Sequence, residues 1–184
     1  MHHIYTTPAF VVHSSPHSEA GKFLLLFTRD FGMIGVTAQG IRLQQSKLRY
    51  HIQDGDFSNI SIVRGKEVWR LTGAVEIEHE KVTVLHLKIL KLLKRLLHGE
   101  DKNDKLFEII EVLYVTTINE IDYESIECLT ILRILNTLGY IKNNDELLPF
   151  LSSTDLNKDL LASFSNIKPK VINTINEALK ESQL

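Results

Sequence analysis

Between Phe31 and Gln53 the chain has no Asp or Glu, yet it carries Arg42, Lys47 and Arg49. Gln39, Gln44, Gln45 and Ser46 add neutral hydrogen-bonding side chains, and Gly35 and Gly40 permit close backbone approach. Guanidinium and ammonium groups on a polar connection can reach phosphate oxygens without burying charge, so this stretch suits binding of a nucleic-acid backbone. Arg29, Arg64, Lys66 and Arg70 sit in or beside other turns, and Tyr50, Phe57 and Trp69 are nearby rings for stacking on bases. The same residues are equally compatible with a solvated loop whose neighbours Phe57 and Trp69 belong to the core.

Catalytic signatures are missing. No Gly-x-Gly-x-x-Gly or Gly-x4-Gly-Lys-Ser/Thr loop occurs, and neither His-Glu-x-x-His nor Gly-x-Ser-x-Gly is present. Six histidines (His2, His3, His13, His17, His51, His79) scatter through the first 80 residues, while His86 and His98 are too far apart on one expected helix to share an ion. Cys128, the only cysteine, excludes an intramolecular disulfide and any structural zinc site built on two or more cysteines. The expectation is therefore a non-enzymatic protein with no catalytic residues, no metal and no cofactor.

The elements that must carry the basic residues change character near residue 80. Segments 9–14, 22–28, 33–39, 57–64 and 67–78 are rich in β-branched and aromatic residues and are separated by turns such as Arg29-Asp30-Phe31-Gly32 and Asp54-Gly55-Asp56. Five short strands with a longer polar connection after the third predict a small barrel, OB-like in the first instance, with sandwich topologies as rivals. From Val82 the apolar period becomes helical: Leu85, Ile89, Leu92, Leu93 and Leu96, then Leu106, Ile109, Ile110 and Leu113, then Ile126, Leu129, Leu132, Ile134 and Leu135, ending near Gly139. A last amphipathic segment is expected from Pro169, at a first-turn position, to Leu179. The fold class is α+β: a five-stranded OB-fold-like barrel over 1–80 and an all-α domain over 81–184. Lys88, Lys91, Lys94 and Arg95 form a second basic stripe, and Lys91 and Arg95 share a face that an acidic partner would suit.

Of the 184 residues, 43% are hydrophobic and 24% charged, with a formal net charge of −2, which is ordinary for a globular protein and argues against disorder. Residues 1–80 are balanced, with eight Lys/Arg against eight Asp/Glu. Any nucleic-acid affinity must then come from local placement of charge. The N-terminus lacks the basic start and apolar core of a signal peptide, and no apolar run approaches the roughly 20 residues of a membrane span. A cytoplasmic protein without membrane contact is expected.

Beyond this, residues 19–49 resemble the N-terminal signature of the RecO family of bacterial recombination mediators. The resemblance rests on Glu19-Ala20, Phe27-Thr28-Arg29, Gly32, Ala38-Gln39-Gly40, Arg42 and Ser46-Lys47-Leu48-Arg49. "IVRGKEVWRLTGAVEIE" is similar to that family's last barrel hairpin, and the helical half is similar in layout. The resemblance implies an OB fold that binds single- and double-stranded DNA and anneals complementary strands. It also implies help in loading a recombinase, with RecR, onto strands coated by single-stranded-DNA-binding protein, whose acidic C-terminal tail docks on the helical domain. The matching basic positions are Lys22, Arg29, Arg42, Lys47 and Arg49; Arg64, Lys66 and Arg70 are added from position, and Lys88, Lys91 and Arg95 as the partner-binding set. Set against that family the expectation is a short form lacking the zinc-binding cysteines, and Gln39 stands where a basic residue is usual. The alternative reading is a protein-interaction adaptor whose barrel no longer binds DNA.

Overall fold

The structure, a computed structural model, describes residues 3–44, 46–66, 68–118, 123–142 and 144–181. Strands β1 (Ile4–His17), β2 (Gly21–Thr28), β3 (Gly32–Ala38), β4 (Phe57–Arg64) and β5 (Trp69–Glu76) close into a barrel in the order β1-β2-β3-β5-β4. Every neighbouring pair is antiparallel except β3 and β5, which run parallel and meet at Val36–Trp69 and Thr37–Arg70. This closure selects the OB-like barrel over a two-sheet sandwich. β1 begins at Ile4, five residues before the strand expected from local pattern, because Ile4 to Phe10 pair with Val63 to Phe57 of β4.

Alternation builds the core. Ala9 and Val11, Leu24 and Leu26, Ile34 and Val36, Ile60 and Ile62, and Trp69 and Leu71 occupy every second position and fill the barrel. Two further plugs come from the long β3–β4 connection, where Ile41 is 1% and Ile52 0% exposed. The acid-free stretch is thus held at both ends by buried isoleucines, with a 3-10 turn at Lys47–Tyr50 between them. It is an anchored loop rather than a free one.

At Gly32 the backbone takes φ +66, and a Cβ there would meet the Asp101 carbonyl oxygen at 2.2 Å. Replacing Gly32 with Ala therefore combines a left-handed conformation with a backbone clash, and a loss of about 2–4 kcal/mol is expected. A urea midpoint within experimental error of wild type would refute that tight seat.

Contacts divide the chain into two compact units, Met1–Asp104 and Lys105–Leu184. The first contains the barrel and α1 (Val84–Leu96), which lies against β1. α1 belongs to this unit, although the change of period near residue 80 places it with the later helices, because its stripe of Leu85, Ile89, Leu90, Leu93 and Leu96 is buried here. Leu92, counted in that stripe from spacing, is only half-buried. His86, also buried, caps the helix by accepting the Thr83 N–H at its Nδ1 (3.0 Å), while His98 lies beyond the helix end.

The second unit holds α2 (Asp104–Val115), α3 (Tyr123–Thr137), α4 (Leu148–Leu151) and α5 (Lys158–Glu181). α3 ends as expected: Gly139 adopts φ +82, its N–H donates to Asn136 O, and Tyr140 N–H donates to Leu135 O, the paired bonds of a Schellman cap. α5 departs from the expectation, because it begins at Lys158 and carries Pro169 in its interior. Proline removes a hydrogen bond and costs about 3 kcal/mol in a helix interior. Burial of Leu161, Phe164, Val171, Ile175 and Ala178 on both sides of Pro169 offsets that cost.

Candidate nucleic-acid interface

The outward face of β2 and β3 presents Phe23, Leu25, Gly35 and Thr37, opposite in parity to the core residues Leu24, Leu26, Ile34 and Val36. Phe23 is half-buried and its ring lies over Gly35, where a Cβ would come within 2.7 Å of Phe23 Cζ. The missing side chain at Gly35 leaves a flat aromatic surface on the sheet, of the kind on which bases stack. Phe23 is not distinguishable from sequence because "FLLLF" (23–27) is apolar throughout; only the pairing shows which side of the run faces out.

Cations flank this face at two margins. At one margin, Lys22 is half-buried in register with Ala38 and Pro16. Arg42 is exposed and folds back on the β1–β2 turn, its N–H donating to Ala20 O (3.1 Å) and its Nη1 reaching Ser18 O (3.5 Å). Lys47 and Arg49 lie on the 3-10 turn of the same connection, although their side chains fall outside the described residues. At the other margin, the β4–β5 hairpin gathers Arg64, Lys66 and Arg70 with Val63 and Gly65 around a cavity of about 310 Å³. Arg29 stands apart from Lys22, at the far end of β2, in the turn whose N–H donates to Pro8 O. Seven steps along the strand separate the two by about 23 Å.

The expectation for the aromatics needs correcting. Trp69 is 4% and Phe57 1% exposed, so neither can stack on a base. Phe57 stacks instead on Phe10, its register partner, at 4.3 Å, and Trp69 packs edge-on against Tyr5. Of the three rings expected to stack, only Tyr50 is exposed, at 63%. The reasons differ: Trp69 has the parity of the core residue Leu71, whereas Phe57 and Phe10 have the parity opposite to the core residues Ile60 and Ala9 and are buried outside the barrel's own core.

Electrostatics at the hairpin are already engaged. Arg64 Nη1 donates to Glu100 Oε2 at 2.5 Å, and its guanidinium lies 4.6 Å from the Trp69 ring centroid. The Arg64 hydrogen bond, with a smaller contribution from Trp69, holds the Glu100 carboxyl below the usual carboxylate range. Just before β4, burial raises the Asp56 carboxyl despite its bond from the Gln53 N–H.

The second basic stripe separates in three dimensions. Lys91, Lys94 and Arg95 line a cavity of about 560 Å³ with Leu87, Val12, His13 and Asp54, whereas Lys88 lies outside that lining. Leu87 is 43% exposed, so the cavity combines an apolar wall with three cations. Among the described residues, no cluster of His, Cys, Asp and Glu could hold a metal ion, and no helix is long and apolar enough to cross a membrane.

The barrel has known counterparts. Residues 1–78 match the family model for the recombination protein O N-terminal domain. The chain is 34% identical over 76 residues to the DNA repair protein RecO of Dehalococcoides mccartyi (strain CBDB1), covering 41% of this chain and 30% of that protein. It is 37% identical over 73 residues to DNA repair protein RecO of Ralstonia nicotianae (40% and 27% covered) and 32% identical over 75 residues to that of Heliobacterium modesticaldum (41% and 28% covered). The alignments thus span less than a third of each of these relatives. Closed in OB-like order and matched over its whole barrel, residues 1–78 are similar to the N-terminal domain of the RecO family.

Proposed function

We propose that the chain is a non-enzymatic DNA-binding recombination mediator of DNA repair. The observation that carries this reading is the β2–β3 face, with a half-exposed phenylalanine at its centre and cations at both margins. In this reading residues 1–80 hold single- and double-stranded DNA. Lys22, Arg42, Lys47 and Arg49 take phosphates at one margin, Arg64, Lys66 and Arg70 at the other, and Arg29 at the far end of β2. Phe23 and Tyr50 receive unstacked bases. Complementary strands held by their backbones anneal on base-pairing energy alone, so no hydrolysis is needed. The helices of 81–184 dock protein partners, RecR and the acidic tail of single-stranded-DNA-binding protein, with Lys88, Lys91 and Arg95 as the cationic contacts. Loading of the recombinase follows from bringing that coated strand to the barrel.

The test is fluorescence anisotropy of a labelled single-stranded oligonucleotide across a salt series. The five family-matched positions alone (Lys22, Arg29, Arg42, Lys47 and Arg49) correspond to a log–log salt slope of about −3.5, and Arg42→Glu with Lys47→Glu should lower that share to about −2.1 and weaken binding at every salt concentration. Arg42 is exposed, and Lys47 belongs to the 3-10 turn between the buried Ile41 and Ile52 rather than to a strand, so thermal stability should stay nearly constant. No binding by wild type even at low salt would remove the DNA-binding reading.

A second reading is supported by the cavity beside α1. An apolar wall of Leu87 and Val12 beneath Lys91, Lys94 and Arg95 suits an acidic peptide with an apolar end. If the barrel has lost nucleic-acid binding, the protein is an adaptor that works through this cavity. Binding of an acidic, hydrophobic-ended peptide in the absence of oligonucleotide binding would decide for it.

A further inference from the structure

The arginine of the β4–β5 hairpin has an internal anion. Arg64 Nη1 and Trp69 Nε1 converge on the two oxygens of Glu100, at 2.5 Å and 3.1 Å, while the guanidinium stacks over the indole. Two N–H donors aimed at one planar anion make the geometry in which phosphate oxygens are also bound. Both donors belong to the barrel, whereas Glu100 belongs to the segment that follows α1. That segment is seated independently of Glu100, because the Asp101 backbone rests against Gly32. Lys66 and Arg70 border the same cavity and are exposed.

We infer that Glu100 is a built-in competitor for nucleic-acid phosphate at Arg64, so that this margin of the barrel engages a strand only when the carboxylate is displaced. The inference rests on the reading of the barrel as a DNA site. The ion pair is open to solvent, with side chains 53% and 45% exposed, and such pairs are weak enough for a phosphate to replace. Because its carboxyl is held in the ionised form, lowering the pH to about 5 does not relieve the competition. Displacement would also break the Trp69 bond, which couples strand binding at the hairpin to release of the Glu100 side chain. The acidic side chain thereby keeps a barrel of balanced charge from holding any strand too firmly at that margin.

The experiment compares the whole chain as wild type, Glu100→Gln, Arg64→Gln and the double variant, by anisotropy with a fluorescein-labelled single-stranded oligonucleotide across a potassium chloride series. Glutamine retains an acceptor for Trp69 Nε1, and circular dichroism melts check that each variant is folded. Glu100→Gln should tighten binding about three- to fivefold at low salt, as expected for release of an exposed ion pair. It should also steepen the log–log slope by about 0.7, one additional phosphate contact. In the Arg64→Gln background the same change should have little effect. Wild type that binds while Glu100→Gln binds no tighter overturns the inference and leaves the DNA reading standing. Equal tightening in both backgrounds overturns it too, since loss of negative charge alone would then explain the gain. If neither wild type nor Glu100→Gln binds at the lowest salt, the DNA reading itself fails and the inference falls with it.

Discussion

Replacing Trp69 with alanine is expected to open the barrel at its closing seam and to cost about 3–5 kcal/mol, the usual range for a fully buried large aromatic. Trp69 is 4% exposed, and its ring meets Tyr5 at 5.6 Å and Phe31 at 4.9 Å. The effect should exceed that of an ordinary core residue because its backbone belongs to the two-residue parallel pairing of β3 and β5, supported by the Thr37 hydroxyl donating to Trp69 O at 3.2 Å. That pairing is the shortest of the barrel's five, so side-chain packing at this point carries much of the closure. Trp69 is the only tryptophan, and its removal eliminates intrinsic tryptophan fluorescence as a probe. Hydrogen exchange read by mass spectrometry over residues 32–38 and 69–76 provides the measurement instead. Faster exchange confined to those strands and their neighbours is the expected result. Trp69→Phe should restore most of the protection, losing mainly the indole N–H bond to Glu100. Unchanged protection in Trp69→Ala would mean that the seam does not depend on this ring.

In the second unit the largest effect is expected at Arg133. Its side chain is 3% exposed on α3, with Nε donating to Phe150 O and Nη1 to Thr154 O, both at 2.8 Å. Nη2 is buried with no hydrogen-bond partner among the described residues, and burial lowers the guanidinium pKa to about 10. Arg133 therefore stays charged at neutral pH and clamps the segment from α4 to Thr154 onto α3. Alanine would leave two carbonyls without donors and a cavity where the stem packed. Hydrogen bonds to charged donors contribute about 1.5–3 kcal/mol each, and relief of the strained burial of charge offsets part of the sum, so a net loss of about 2–4 kcal/mol is expected. Denaturant unfolding and hydrogen exchange over residues 148–156 would measure it. Arg133→Met keeps the apolar stem and should cost less than alanine. If the two variants were equally destabilised, the hydrogen bonds would dominate; if neither were, the clamp would be incidental to stability.

Much of the barrel is legible in the order of its residues. Strand β4 can be read to the residue, because Ile60 and Ile62 alternate with Asn59 and Ser61 and turns bound the segment on both sides. The end of α3 at Gly139 follows from a residue type that tolerates φ +82. The start of α5 is not legible. Pro169 is a local signal for a first turn, and its override comes from Leu161 and Phe164, whose burial depends on packing that no local window contains. Within the candidate site, the basic residues can be named because charge is a property of side-chain type. Their grouping cannot, since Arg42 meets the β1–β2 turn through Ser18 and Ala20, and Lys88 parts from Lys91 and Arg95 through helix rotation.

By itself, then, the sequence determined the periods, two for the strands and three to four for the helices, and with them the order of elements and the acid-free basic connection. It also determined the absence of a second cysteine, hence of any intramolecular disulfide. Only the tertiary structure decided which aromatics are available, burying Trp69 and Phe57 while leaving Phe23 half-exposed over Gly35. It alone placed Glu100 on Arg64, 36 residues away in the chain. The physical reason is the same in each case. Periodicity and charge are carried by neighbouring residues, whereas the exposure of a ring and the partner of an ion are set by strand pairings and close contacts between residues far apart in sequence.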